Sequence, residues 1–342
     1  MEIWTVKLNP EGGIRKRGWQ NKIPAVLEEE IKRLDTRQIK NEDAADYCKR
    51  NSIIGIGWSY EKDGKYTQPT SWEEYIRWAR QKYKERSAGI IKDFHDIREG
   101  DICWTRDKHD VYYICKITGP WEYKYSAEAL LFDLPQIHGC EWKRVGKVTE
   151  VPACIVRKLI TRGGTVSKMK NIYLSGLSEF LINKPEGIIQ NYIEEFRPEK
   201  VHWSEDFIWE LDEYEYEDLV GIYLQQKYYL YPSIRTQSTK DYEFVLVSRD
   251  KEHYHTAVVQ VKFHERNINE SIDAIGYYQK LGSHDIIYLA CPNGVKNIMP
   301  GGKIKEIKND DLLHFWRENP LHLPGRIKFK VVYAAKKQEG KI

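Results

Sequence analysis

Thr239-Lys240-Asp241-Tyr242-Glu243-Phe244-Val245-Leu246-Val247, followed by Ala257-Val258-Val259-Gln260-Val261-Lys262, is the pair of segments that decides how the C-terminal half folds. Each contains a short apolar run bounded by polar residues, the pattern of a strand covered on both faces. Side chains alternate along a strand, so Asp241 and Glu243 share one face, and so do Gln260 and Lys262. Paired as a hairpin, the two strands bring acids, an amide oxygen and an ammonium to one place. Oxygen donors suit a hard divalent cation. A lysine beside them suits ordering of a water and stabilisation of phosphate charge. Ala257-Val258-Val259 is too apolar for an exposed strand, so Lys262 ends a central strand, where an unpaired ammonium without a role is costly.

The flanking elements extend this reading. Phe207, Leu211, Tyr214, Leu219 and Ile222 recur at helical steps over residues 204–227, with Ser204 as N-cap and Glu205 and Asp206 in the first turn. After the two strands come a helix from Glu270 to Leu281 ended by Gly282, a strand over Asp285–Ala290 and a helix over Asp310–Arg317. The order predicts a mixed sheet flanked by helices.

The first half reads differently. Ile53-Ile54-Gly55-Ile56-Gly57-Trp58, Asp101-Ile102-Cys103-Trp104 and Val111-Tyr112-Tyr113-Ile114-Cys115-Lys116-Ile117 are strand-like, and Ser71-Trp72-Glu73-Glu74 opens a helix through about Tyr83. Short strands with inserted helices predict a small, partly closed β-barrel. The whole is therefore α+β with two domains: a barrel domain over 1–170, a linker over 171–200, and a C-terminal α/β domain over 201–342.

Composition permits this and limits the alternatives. The chain has 342 residues, enough for two cores. Its 54 basic and 51 acidic residues leave a net charge of +3, so nucleic-acid binding requires a local basic surface. The six cysteines are scattered without metal-ligand or disulfide spacing, and no apolar run exceeds strand length. The N-terminus has no basic, apolar leader pattern. These features predict a soluble cytoplasmic protein without a membrane segment.

The paired segments resemble the PD-(D/E)xK nuclease superfamily, in its Gln-x-Lys variant found in Mrr-like, type IV modification-dependent restriction endonucleases. The resemblance implies a restriction-endonuclease-like sheet, with Glu243 as first metal ligand, Asp241 as the alternate on the same face, Gln260 as second ligand and Lys262 as catalytic lysine. Mg²⁺ is the implied cofactor, with Mn²⁺ as substitute. Glutamine supplies only a neutral oxygen, which favours one weakly held metal over a tight pair. Relatives add a glutamate from the preceding helix. Among Glu213, Glu217 and Asp218, Glu217 is the best placed to point inward. His253, His255 and His264 flank the strands and read as exposed loop residues.

Residues 1–170 resemble the PUA/EVE-like domains that precede such nucleases, through Ile54-Gly55-Ile56-Gly57-Trp58, Ile97-Arg98-Glu99-Gly100-Asp101-Ile102-Cys103-Trp104 and Ile114-Cys115-Lys116-Ile117-Thr118-Gly119-Pro120-Trp121-Glu122-Tyr123. The resemblance implies a pocket for a flipped, modified base. Trp58, Trp104, Trp121 and Tyr123 are its candidate walls and Trp19 its cap, with Arg15, Lys16, Arg17, Arg98 and Arg106 as a phosphate rim. The combined expectation is a modification-dependent DNA endonuclease acting in phage defence. Its partner would be double-stranded DNA carrying a modified base, and it would dimerise on that DNA. The alternative is a catalytically weak or inactive binder of modified nucleic acid. An RNA-directed nuclease fits the second-half resemblance less well.

Overall fold

The structure, a computed structural model, describes residues 1–8, 24–34, 42–161, 164–170, 172–201, 206–231, 242–263, 270–299 and 302–341. The chain divides into two compact units, residues 1–151 with 155–189, and residues 152–154 with 190–342. Both contain helix and sheet, so the fold is mixed α+β.

Unit 1 is built on a six-stranded sheet of order β2-β7-β6-β5-β1-β8. Its strands are β1 (Ile3–Val6), β2 (Ile53–Ile56), β5 (Ile102–Arg106), β6 (Val111–Tyr123), β7 (Gln136–Lys147) and β8 (Val166–Met169), with β3 (Glu61–Lys62) and β4 (Lys65–Tyr66) forming a separate hairpin. Among the described residues of this sheet, only β1 and β5 pair in parallel. The end strands β2 and β8 do not pair, so the sheet is a curled half-barrel, more open than the barrel expected. A register shift between Ile117 and Trp121 interrupts the long β6–β7 ribbon, and such bulges bend and twist a ribbon.

Helix α1 (Ala25–Arg33) is followed by α2 (Ala44–Arg50), where Asp43 and Asp46 form a reciprocal capping box. The expected start of α3 (Trp72–His95) holds, since the Ser71 hydroxyl accepts from the Glu74 amide. Lys84, at φ +66°, divides α3 into two segments close to where the sequence places its end. Next come α4 (Ala127–Leu131) and α5 (Ala153–Ile160). The stretch expected as a linker is largely helical, comprising α6 (Ile172–Asn183) and α7 (Ile188–Glu195). Helix α6 is fastened to unit 1, where the Trp104 indole donates to Ser178 and Lys143 donates to the Ile182 carbonyl.

Unit 2 has a five-stranded sheet of order β15-β13-β11-β10-β9. Its strands are β9 (Tyr228–Leu230), β10 (Phe244–Ser248), β11 (Thr256–Val261), β13 (Ile286–Ala290) and β15 (Ile304–Ile307), with a small pair formed by β12 (Ile272–Asp273) and β14 (Val295–Lys296). β9, β10 and β11 are antiparallel neighbours, whereas β11, β13 and β15 run parallel. The helical pattern over 204–227 resolves into α8 (Asp206–Trp209) and α9 (Glu213–Leu224), separated where Asp212 caps α9 with its own side chain. Then come α10 (Ala274–Leu281), α11 (Asn309–Glu318) and α12 (Gly325–Gln338).

Strand alternation gives this sheet two apolar faces. Leu246, Ala257, Val259 and Val261 pack with α9, α11 and α12. Val258, Ile287 and Leu289 pack with α10, and Val245 lies against them. All six cysteines are buried and free. No helix among the described residues is long and apolar enough to cross a membrane.

Candidate functional site

In unit 2 the β10–β11 register pairs Phe244 with Val259 and continues outward, the Glu243 amide donating to the Val259 carbonyl at 2.7 Å. Glu243 therefore stands across from Gln260. The Gln260 amide nitrogen donates to Glu243 Oε1 at 3.1 Å and to the Val261 carbonyl at 3.0 Å. Gln260 is fully buried, and its Oε1 has no hydrogen-bond partner among the described residues. By parity Glu243 and Gln260 point to the α10 face, with Val245 and Val258. Lys262 follows on the same parity, and its amide donates to the Ala290 carbonyl at 2.9 Å, continuing the ladder towards β13. Its side chain is half-buried, and among the described residues no carboxylate pairs with it.

The other acids expected here are placed differently. Asp241 lies outside the described residues. Glu217 is half-buried on α9, which packs on the face of the sheet opposite Glu243 and Gln260. The buried acid of that helix is Glu215, which accepts from Lys330 and from the Asp212 amide. Burial, assisted by the Asp212 charge and opposed by Lys330, raises its pKa. Among the described residues, no group of three or more His, Cys, Asp or Glu has metal-binding geometry. His255 accepts or donates to the Tyr228 hydroxyl at 3.2 Å, beside Thr256 and thus at the other end of β11 from Gln260. His253 is exposed, and His264 lies outside the described residues.

In unit 1 three of the expected pocket residues converge. Trp58, Trp121 and Tyr123 pack around Tyr60 and Tyr75, with Trp72 and Trp78 alongside. The Trp121 ring lies 5.2 Å from Trp72 and 6.2 Å from Tyr75, and Tyr123 lies 5.4 Å from Tyr75. Trp121 and Tyr123 are two apart on β6 and so share a face. Trp58 adopts a left-handed backbone, φ +69°, and its carbonyl accepts from the Tyr75 hydroxyl at 2.7 Å. A bulky residue in that region is strained. Tyr60 donates its amide to the Tyr123 hydroxyl at 2.6 Å.

One expectation for this pocket changes, and others fall outside the described residues. Trp104 is wholly buried and donates its indole N–H to Ser178 at 2.9 Å. It sits mid-strand between β1 and β6, and is a core residue with no open face. Trp19 lies outside the described residues, as do Arg15, Lys16 and Arg17. Arg106 is paired with Asp110.

The cluster also holds polar groups that sequence reading did not single out. Asp133, left-handed at φ +51°, accepts from the Ser59 hydroxyl at 3.3 Å. A Cβ at Gly57 would stand 2.7 Å from Asp133 Oδ2, so glycine is what leaves room for the carboxyl. Burial pushes the Asp133 pKa up to about 6, with the Ser59 hydrogen bond opposing. Gln136, fully buried, donates to the Gly57 carbonyl at 2.7 Å, while its Oε1 and the Trp121 indole nitrogen have no partner among the described residues. Phe132-Asp133-Leu134-Pro135-Gln136 reads as a turn, but its meeting with Gly57-Trp58-Ser59 is a tertiary event with no local signal.

Residues 33–168 match a family described as a domain of unknown function, DUF8426. No curated protein matches the chain. Among solved structures, the MspJI restriction endonuclease in complex with a 27-mer oligonucleotide is similar at 8% identity, covering 83% of this chain and 73% of its own, with a TM-score of 0.25.

Proposed function

We propose that the chain is a modification-dependent DNA endonuclease whose unit 1 recognises a modified base and whose unit 2 hydrolyses phosphodiester bonds with Mg²⁺. The observation that carries the reading is the meeting of Glu243 and Gln260 at 3.1 Å, on adjacent strands, with Lys262 two residues on along the same face. The donor set fits a hard cation in type, since it offers a carboxylate and a buried amide oxygen that lacks a described partner. Glu243 and Gln260 would hold Mg²⁺, with Asp241 as the alternate acid on the first strand. The ion, when bound, supplies Lewis-acid stabilisation of phosphate charge.

Lys262 orders the attacking water and places positive charge beside the phosphate. Cleavage of both strands needs two such sites, hence a dimer on DNA. Base extrusion costs a few kcal/mol, which stacking against Trp58 and Trp121 would offset.

The test is Mg²⁺-dependent cleavage of plasmids carrying defined modifications. Lys262→Ala should abolish cleavage while leaving DNA binding intact. Retained nicking by that variant refutes the assignment.

One observation favours a second reading, a binder of modified DNA that cuts poorly or not at all. The Gln260 amide already donates to Glu243, and a neutral glutamine attracts a cation less than an acid does. Titration with Mn²⁺ separates the two readings. Binding that is lost in Glu243→Ala supports the nuclease, and no binding by the wild type supports the binder.

A further inference from the structure

Building on the base-binding reading of unit 1, we propose that its aromatic site selects bases carrying an exocyclic amino group and rejects the corresponding keto bases, with Asp133 and Gln136 as the selecting residues. Both side chains close on Gly57, the residue before Trp58. Gln136 donates its amide N–H to the Gly57 carbonyl at 2.7 Å, which fixes the amide and turns Oε1 away from that contact. That oxygen is fully buried with no described partner. Asp133 Oδ1 takes the Ser59 hydroxyl at a long 3.3 Å, and Oδ2 lies against Gly57. The carboxyl is half-buried and so keeps solvent contact.

The cluster therefore holds two acceptors in want of donors beside its aromatic rings. An exocyclic amino group carries two N–H donors, so one such group can serve both acceptors. A keto oxygen in the same place would bring a third acceptor against them and leave all three unpaired. The unpartnered Trp121 indole N–H is a donor suited to an acceptor elsewhere on the same ring. Cytosine, adenine and guanine derivatives have the amino group, whereas thymine and uracil derivatives do not. Left-handed backbone at both Trp58 and Asp133 is consistent with a locally strained ligand site.

The test compares duplexes that differ only at the selecting edge. 5-Hydroxymethylcytosine and 5-hydroxymethyluracil share the hydroxymethyl group and differ by amino against keto. Binding of the full chain would be measured by fluorescence anisotropy in EDTA, alongside duplexes with 5-methylcytosine and with no modification. The expected result is a preference for an amino-bearing modified base over 5-hydroxymethyluracil of at least about tenfold, as for sites built to pair a polar group. Asp133→Asn, which can donate to a keto oxygen, should narrow that ratio to about threefold or less. Should this variant fail to fold, Gln136→Leu carries the same expectation.

A preference for 5-hydroxymethyluracil that is lost in Trp121→Ala overturns the amino selection and leaves the base-binding reading standing. An unchanged ratio in a folded Asp133→Asn variant also overturns it. Equal binding of all duplexes, unaffected by Trp121→Ala, overturns both.

Discussion

The wholly buried Glu215 of unit 2 and the half-buried Asp133 of unit 1 are held in opposite ways. In unit 2, Glu215 is wholly buried and its charge is met by Lys330, itself only 11% exposed. The same carboxylate caps α9 by accepting from the Asp212 amide at 2.9 Å. In unit 1, Asp133 sits among aromatic rings with a single hydroxyl, that of Ser59, as its described hydrogen-bond donor. A buried charge that is paired and capped does structural work, fixing a helix terminus to a neighbouring helix. A buried carboxyl left without a cation raises the free energy of the fold, and such groups concentrate where ligands bind.

Breaking the pair in unit 2 should have the largest effect. Lys330→Met leaves Glu215 buried without a cation, and loss of one partner of a buried pair costs about 3–5 kcal/mol. Denaturant unfolding monitored by tryptophan fluorescence would measure it. A lone buried carboxyl has a raised folded pKa, so its stability is kept at low pH and lost as pH rises. The defect should therefore be smaller at pH 5 than at pH 8. Adding Glu215→Gln should recover part of the loss, because the amide removes the stranded charge. A double variant no more stable than Lys330→Met would contradict the paired-charge account.

How far the sequence foretold these sites depended on the range of the interactions. The strands carrying Glu243 and Gln260 were readable because alternation is local, and the hairpin register then set the two side chains opposite each other. The start of α3 was readable because Ser71 and Glu74 cap within one turn. Glu215 and Glu217 are two apart on a helix and so lie on nearly opposite sides, and acidic composition alone did not say which faced the protein. Trp104 looked like a strand end, but Thr5 and Ile114 flank it in the sheet, and only pairing over long separations reveals this. Asp133 and Gln136 meet residues more than seventy positions away, so nothing near them in the chain marked them.

A smaller perturbation tests how tightly the unit 1 acid is held. Gly57→Ala places a Cβ 2.7 Å from Asp133 Oδ2 and 3.2 Å from the Asp133 carbonyl. Overpacking of this kind costs about 1–3 kcal/mol. Combining it with Asp133→Ala should relieve the clash with the carboxyl, leaving the double variant nearer to Asp133→Ala alone than additivity predicts. Additive losses would mean that the carboxyl is not held against Gly57 as the structure shows.

The smallest effect has the opposite sign, and it separates the two kinds of buried acid most directly. Burial raises the Asp133 pKa from 3.8 to about 6. Below the unfolded value the carboxyl is neutral in both states and its burial is tolerated. As pH rises through about 6, ionisation favours the unfolded chain and stability falls. At about 1.4 kcal/mol per unit the penalty is at most about 3 kcal/mol, and solvent contact at the carboxyl reduces it to about 1–2 kcal/mol. Asp133→Asn removes the charge and keeps an acceptor for Ser59, so it should be the more stable protein at pH 8 by about that amount. The difference should close as pH falls towards 4, followed by thermal unfolding across the range. If Asp133→Asn were instead less stable at pH 8, a cation or donor would be satisfying the carboxylate in the folded chain. Asp133 would then be of the same kind as Glu215. A gain in stability paired with lost discrimination between bases would show that unit 1 carries the carboxylate for its ligand, at the expense of its fold.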